Sequence, residues 1–183
     1  MKVMQKFFEK AIEFDMKRDV KQSIEWYQHS IVNNENREEA YSNLIVLLIE
    51  INFDYGVNSS LVANNIIKQE EMLDLYKLLN RLLNDAIEKY KNISNEFEFW
   101  KYYCETYYIG YDRNNLLFII EKNENNLIPY FYLYINDLAS SIPTNHYKAK
   151  IAELKKILFN IHSSKNRYIK SLLDSSEFIY NNK

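Results

Sequence analysis

Three histidines, one cysteine and two glycines are the residues on which most recognisable enzymatic chemistry in this chain would have to rest. Metal binding or acid–base catalysis needs His, Asp and Glu converging at ligand spacing. His29, His146 and His162 fall on separate elements, and Glu25 and His29, at i,i+4, share a helical face as a surface contact does. Neither H-E-x-x-H nor E-x-x-H occurs. Cys104, in YYCETYY, has no nearby His or basic helix terminus to lower its pKa, and it reads as a small core residue. Gly56 and Gly110 are isolated, so no glycine-rich loop can cradle a phosphate. No catalytic residue, metal ligand set or cofactor site is therefore assigned, and the expectation is a protein without enzymatic activity.

Charge points to one further chemistry. Residues 146–170, HYKAKIAELKKILFNIHSSKNRYIK, carry Lys148, Lys150, Lys155, Lys156, Lys165, Arg167 and Lys170 against the single acid Glu153. Such a run can neutralise nucleic-acid phosphates, although a solvated helix face is the commoner use of it. The whole chain has a net charge of −2, which gives no global attraction to nucleic acid or to an acidic membrane. Nucleic-acid binding through this face is kept as an alternative.

The elements that must position these residues are helices. Two Gly and two Pro among 183 residues, with no Asn-Gly, Asp-Gly or Gly-Gly dipeptide, disfavour tight hairpins and point to an all-α fold joined by Asn- and Ser-rich loops. Apolar residues recurring at three- and four-residue spacing predict helices over 2–17, 20–33, 37–52, 59–68, 70–92, 95–109, 114–122, 129–140, 144–161 and 165–180. Pro129 suits a first helical turn. At this length one core can form without disulfides or metals, and no linker breaks the chain, so residues 1–183 read as one domain with 163–183 as its capping helix. Glu9, Glu13 and Asp15 interrupt any signal-peptide core, and the longest apolar run, LIVLLIEI at 44–51, is short of the ~20 residues of a membrane span. A soluble, cytoplasmic protein is expected. The Lys-, Asn-, Ile- and Tyr-rich composition suggests a bacterial source.

Residues 21–48, KQSIEWYQHSIVNNENREEAYSNLIVLL, carry a helix with small, aromatic and small residues at Ser23, Tyr27 and Ser30, then a polar loop, then a helix with Tyr41, Leu44 and Leu48 at packing positions. NDAIEKYKNI at 84–93 echoes the first helix through Ala86, Ile87, Glu88 and Tyr90, and Trp100, Tyr103 and Tyr107 follow like the second. This pattern resembles the junction between tetratricopeptide repeats over 7–52 and 82–109. The resemblance implies antiparallel helix pairs stacked as a short right-handed solenoid. It also implies a concave groove lined by the first helices of successive pairs, which here would include Glu39, Ser42, Val46, Ile49 and Glu50 on one helix and Glu98, Lys101, Glu105, Tyr108 and Ile109 on another.

FEFWKYYCETYYIGY, residues 97–111, places eight aromatic side chains in fifteen positions. At about 100° per residue, Phe97, Trp100, Tyr103, Cys104, Tyr107, Tyr108 and Tyr111 share one arc, which reads as buried wall. Glu98, Lys101 and Glu105 form a polar wedge, with Tyr102 and Ile109 beyond it and Tyr108 at its edge as candidate partner contacts. The expected function is an adaptor or scaffold that binds a protein or peptide partner, with a bacterial immunity protein that neutralises a toxin as the alternative.

Overall fold

Most of the helix boundaries are set by residues that satisfy the end groups a helix leaves unpaired. The computed structural model describes residues 6–91, 95–159 and 163–181. Among the described residues the protein is all-helical, with no strand. The helices are α1 (Lys6–Met16), α2 (Val20–Val32), α3 (Arg37–Phe53), α4 (Tyr55–Ala63), α5 (Met72–Tyr90), α6 (Glu96–Ile109), α7 (Arg113–Lys122), α8 (Ile128–Ala139), α9 (Lys148–Leu158) and α10 (Ser164–Asn181). Short 3-10 turns at Gln69–Glu71 and Asn145–Tyr147 lead into α5 and α9. The helical expectations over residues 2–5, 92 and 160–161 lie outside the described residues.

Acidic side chains open several helices. Asp19 accepts a hydrogen bond from the Gln22 amide at 3.2 Å, Asp54 from Val57 at 3.1 Å, and Asp112 from Asn114 and Asn115 at 2.9 and 3.3 Å. The first turn of α1 is served from a distance: Glu35, in the loop after α2, accepts from the Phe7 amide at 2.7 Å. A carboxylate at each of these sites also meets the positive end of the helix dipole. Pro129 stands in the first turn of α8.

Four helices end alike. After α1, α2, α4 and α8 the chain enters the left-handed region at Arg18 (φ 60°), Asn34 (57°), Asn65 (54°) and Ser141 (58°). The next amide then reaches back five residues: Asp19 to the Phe14 carbonyl, Glu35 to Ser30, Ile66 to Leu61 and Ile142 to Asp137, at 2.8–3.0 Å. Glycine is the usual residue at this position. Asn, Ser and even Arg serve it here, which is how a chain with two glycines closes so many helices.

This device explains one difference from the sequence expectation. The spacing predicts a helix over 59–68, but α4 starts at Tyr55, after Asp54's cap, and stops at Ala63, ahead of the left-handed Asn65, four residues earlier at its start and five at its end. Ile67, which looked like the last apolar turn of that helix, is instead buried as part of the following loop. Similarly, the helix expected from 144 begins as a 3-10 turn and becomes α-helical only at Lys148.

The chain divides into two compact units, residues 1–91 with 163–165 and residues 92–162 with 166–183, where the sequence contains no linker. In the first, α1 packs on α2, α2 on α3, and α3 on both α4 and α5. Every residue from Ala40 to Ile49 is buried, so α3 has no solvent face along these turns. Ser23, Tyr27 and Ser30 of α2 and Tyr41, Leu44 and Leu48 of α3 all lie in this core. Asp15, only 2% exposed, accepts hydrogen bonds from the Tyr27 hydroxyl and from the amide and hydroxyl of Ser164, each at 2.7 Å. In the second unit α6 packs on α7 and α8, α7 on α8, and α8 on α9.

Among the described residues no single helix is long and apolar enough to cross a membrane.

Replacing Ser141 with Gly removes the side-chain clash of the left-handed conformation, and a stabilisation of about 0.5–1 kcal/mol is expected. For a chain of this size that is a rise of roughly 1–4 °C in the melting midpoint, whereas Ser141→Val should lower it. A fall for both variants in thermal denaturation would contradict the assignment.

Candidate binding surface

Burial separates the residues proposed for a groove into two groups. On α3, Ser42, Val46 and Ile49 are in the interior, at 1%, 0% and 0% exposure, and cannot meet a partner. A helix covered on all sides has no outward stripe, so the positions that a groove-lining helix would present are packed instead. Glu39 is exposed and pairs with Lys165 at 3.1 Å; Glu50 is mostly covered and lies 3.8 Å from Arg18.

On α6 the wall and the surface separate along the helix as well as around it. Phe97, Phe99, Trp100, Tyr102 and Tyr103 are buried, whereas Lys101, Glu105, Tyr107, Tyr108 and Ile109 are exposed. The buried rings interlock with α8: Phe99 and Trp100 sit 5.6 and 6.0 Å from Phe131, and Tyr103 lies 4.8 Å from Tyr132. Their polar atoms are paired. Trp100 Nε1 donates to Glu96 at 3.1 Å, and the Tyr103 and Tyr168 hydroxyls meet at 2.7 Å. Burial pushes the Tyr103 phenol far above its usual range, so this ring stays neutral.

Tyr102 is a correction to the helical-wheel reading. It is 2% exposed, and its hydroxyl both donates to the Asp112 carbonyl at 2.7 Å and accepts from the Asp112 amide at 2.9 Å. It braces the turn that joins α6 to α7 and is not available to a partner. Ile109 (74% exposed) and Tyr108 (70%) do face solvent.

Helix α7 extends this face. Lys122 pairs with Glu98 at 2.6 Å and its ammonium lies 5.0 Å from the Phe118 ring, which is 59% exposed. Glu98 is therefore tied down within the unit. Lys101 and Glu105 are exposed, and neither has an ion-pair partner among the described residues. The result is an α6–α7 surface on which Lys101 and Glu105 stand beside exposed Tyr107, Tyr108, Ile109 and Phe118.

The remaining chemical candidates are occupied or inert. His29 is 3.7 Å from Glu25, His146 is exposed, and His162 lies outside the described residues. Among the described residues no three His, Cys, Asp or Glu side chains are grouped to hold a metal ion. The Cys104 thiol is pushed up to about 12, first by burial and then by the neighbouring charge of Glu105. In the basic run, Lys155 pairs with Glu177 at 2.6 Å, Lys165 with Glu39, and Lys170 with Asp174, while Lys150 donates to the Glu124 carbonyl at 3.0 Å.

One polar centre was not foreseen. Asp137, in the last turn of α8, is fully buried, and Arg113 at the start of α7 grips both its oxygens, Nε at 2.9 Å and Nη2 at 3.0 Å. Tyr147, in the 3-10 turn before α9, donates to the same carboxylate at 2.6 Å. Burial alone would raise the Asp137 pKa, but Arg113 and Tyr147 outweigh it and hold the carboxyl below its usual range. With its oxygens engaged this carboxylate is a structural clamp on three elements, not a base open to substrate. Nothing in the sequence signals it, because 113, 137 and 147 have no motif spacing.

No family model, curated protein or solved structure matches this chain.

Asp137→Asn is expected to destabilise the protein by ~3–5 kcal/mol at pH 7, since it leaves a guanidinium and a phenol without their carboxylate. The folded pKa of Asp137 is depressed, so its contribution is present above the unfolded value of ~3.9 and is lost as pH falls through the folded one. The gap between parent and variant in urea titrations should therefore narrow below about pH 4; a pH-independent gap would refute the ionic role. Cys104 in the native protein should react with iodoacetamide at pH 8 at least about tenfold more slowly than in urea, as its thiolate is scarce when folded. Equal rates would show an accessible, ordinary thiol.

Proposed function

We propose that the protein is a non-catalytic interaction module, built of tetratricopeptide-like helix pairs, that binds a protein or peptide partner. The observation that carries this reading is the end of α6, where Tyr108 and Ile109 stand exposed to solvent on the same helix as the exposed charges Lys101 and Glu105. Aromatic and apolar residues exposed together and rimmed by charge are what a docking surface requires. The groove is thereby redrawn on α6 and α7, with Phe118 in place of the buried α3 positions.

A nucleic-acid partner is less well supported. Lys155 and Lys165 of this run are largely covered and held by carboxylates of the chain itself, and the whole chain carries a net charge of −2, which reduces what is available to phosphates. A toxin-neutralising role uses the same kind of surface and differs from an adaptor only in its partner.

A variant carrying Lys101→Glu, Glu105→Lys, Tyr108→Ser and Ile109→Ser changes only exposed positions and should melt within about 2 °C of the parent. It should lose the partner that cross-linking pull-down recovers with the parent chain from its native cells. Recovery of the same partner in equal yield by the folded variant would remove α6 as the binding face.

A further inference from the structure

Helices α9 and α10 of the second unit leave a cavity of about 250 Å³ between them, lined by Lys155, Leu158, Phe159, Lys170, Leu173 and Asp174. Long side chains span the gap instead of apolar ones closing it. Lys155 reaches across to Glu177 at 2.6 Å, and the Lys170 ammonium, paired with Asp174, lies 5.4 Å from the Phe159 ring. Leu158 and Leu173 form a buried apolar floor, while Phe159 at the mouth is 67% exposed and the neighbouring Ile157 47%.

Volume decides the class of occupant. Small-molecule and cofactor sites occupy ~300–1,000 Å³, and this cavity lies just below that range. It matches one aromatic or branched aliphatic side chain, which is how a protein partner's anchor residue is held.

Charge decides which partner. Between 148 and 181, leaving out residues 163–165 of the first unit, there are six Lys and Arg against three Asp and Glu, a local positive excess in a chain of net charge −2. Lys148 and Lys156 are exposed on α9 and have no ion-pair partner among the described residues. The Lys170–Asp174 pair at the rim is solvated, worth at most ~1 kcal/mol, and can yield to an incoming carboxylate, whereas Lys155 is held by both oxygens of the largely covered Glu177.

We propose that the α9–α10 cavity receives a single apolar anchor side chain from an acidic, amphipathic partner segment, with Lys156 and Lys170 meeting the carboxylates that flank the anchor. The proposal rests on the reading of the chain as a protein-binding module, but on a face different from α6–α7.

The test is selection of displayed random peptides on the full chain, followed by fluorescence anisotropy on the enriched sequences. Enriched peptides should be acidic, carry a Phe, Trp, Leu or Ile anchor, and bind more weakly as salt is raised. Lys156→Gln/Lys170→Gln and, separately, Phe159→Ser should each weaken binding about tenfold (~1.4 kcal/mol), with folding checked by circular dichroism. The α6 variant described above should bind these peptides as tightly as the parent. Absence of enrichment, enrichment of basic peptides, or affinity unchanged in both cavity variants overturns the proposal. So does binding of phosphatidylserine vesicles or single-stranded RNA in place of peptides. Loss with the α6 variant alone would sink this site while leaving the binding role intact.

Discussion

The Asp15 carboxylate is the constraint that closes the first unit. It lies at the end of α1, almost wholly out of water, where an unpaired carboxylate would be prohibitively costly. Tyr27 supplies one donor from α2 and Ser164 supplies two from a point 149 residues further along the chain. Asn43 of α3 adds a hydrogen bond to the Lys165 amide at 3.2 Å, and Glu39 takes the Lys165 ammonium. Two amides at the start of α10, those of Ser164 and Lys165, are thereby satisfied by side chains of α1 and α3, which join residues 163–165 to the first unit. Closing so long a loop is entropically unfavourable, but the cost grows only slowly with length. Charge-assisted hydrogen bonds at a buried site are strong enough to specify the return point.

The second unit repeats the solution with other residues. Asp137 is also a buried acid near a helix terminus, and Arg113 and Tyr147 give it three donors from two further elements. Its own backbone carbonyl simultaneously accepts the Ile142 amide that terminates α8. One residue thus ends a helix, positions α7 and fixes the turn into α9. A chain with no disulfide, two prolines and two glycines has few covalent or conformational means of setting such points, and buried acids with complete hydrogen-bond shells serve instead.

What was legible in the sequence follows from range. The helices were, because three- and four-residue spacing is a local signal, and the loops were, because Asn34, Asn65 and Ser141 are residues that tolerate the left-handed turn. The α4 register failed where Ile66 and Ile67 continued an apolar pattern past the residue that stops the helix. The faces of α3 failed for the opposite reason: AYSNLIVLLI has no charged position to mark an exterior, and the helix is enclosed on all sides. Tyr102 failed because a helical wheel treats a hydroxyl as a direction, whereas this one reaches ten residues ahead to Asp112. The pairs 15–164 and 113–137–147 leave no trace in one dimension, since no spacing rule relates residues on separate elements.

The aromatic stretch on α6 brings these strands together. Its first half is consumed by Phe131 and Tyr132 of α8, and Thr106 turns its hydroxyl to Tyr132 at 2.9 Å. Beyond that point Tyr107 still meets Tyr103 at 5.8 Å and Tyr111 meets Tyr132 at 5.6 Å, while Tyr102 binds the following turn to the helix. Tyr108 and Ile109 are left outside by this geometry, although full burial of an Ile side chain would contribute ~1.5–3 kcal/mol. The fold thus forgoes stabilisation at the end of α6. A second macromolecule covering Tyr108 and Ile109 would regain that burial, and Lys101 and Glu105, each without an ion-pair partner among the described residues, would orient it.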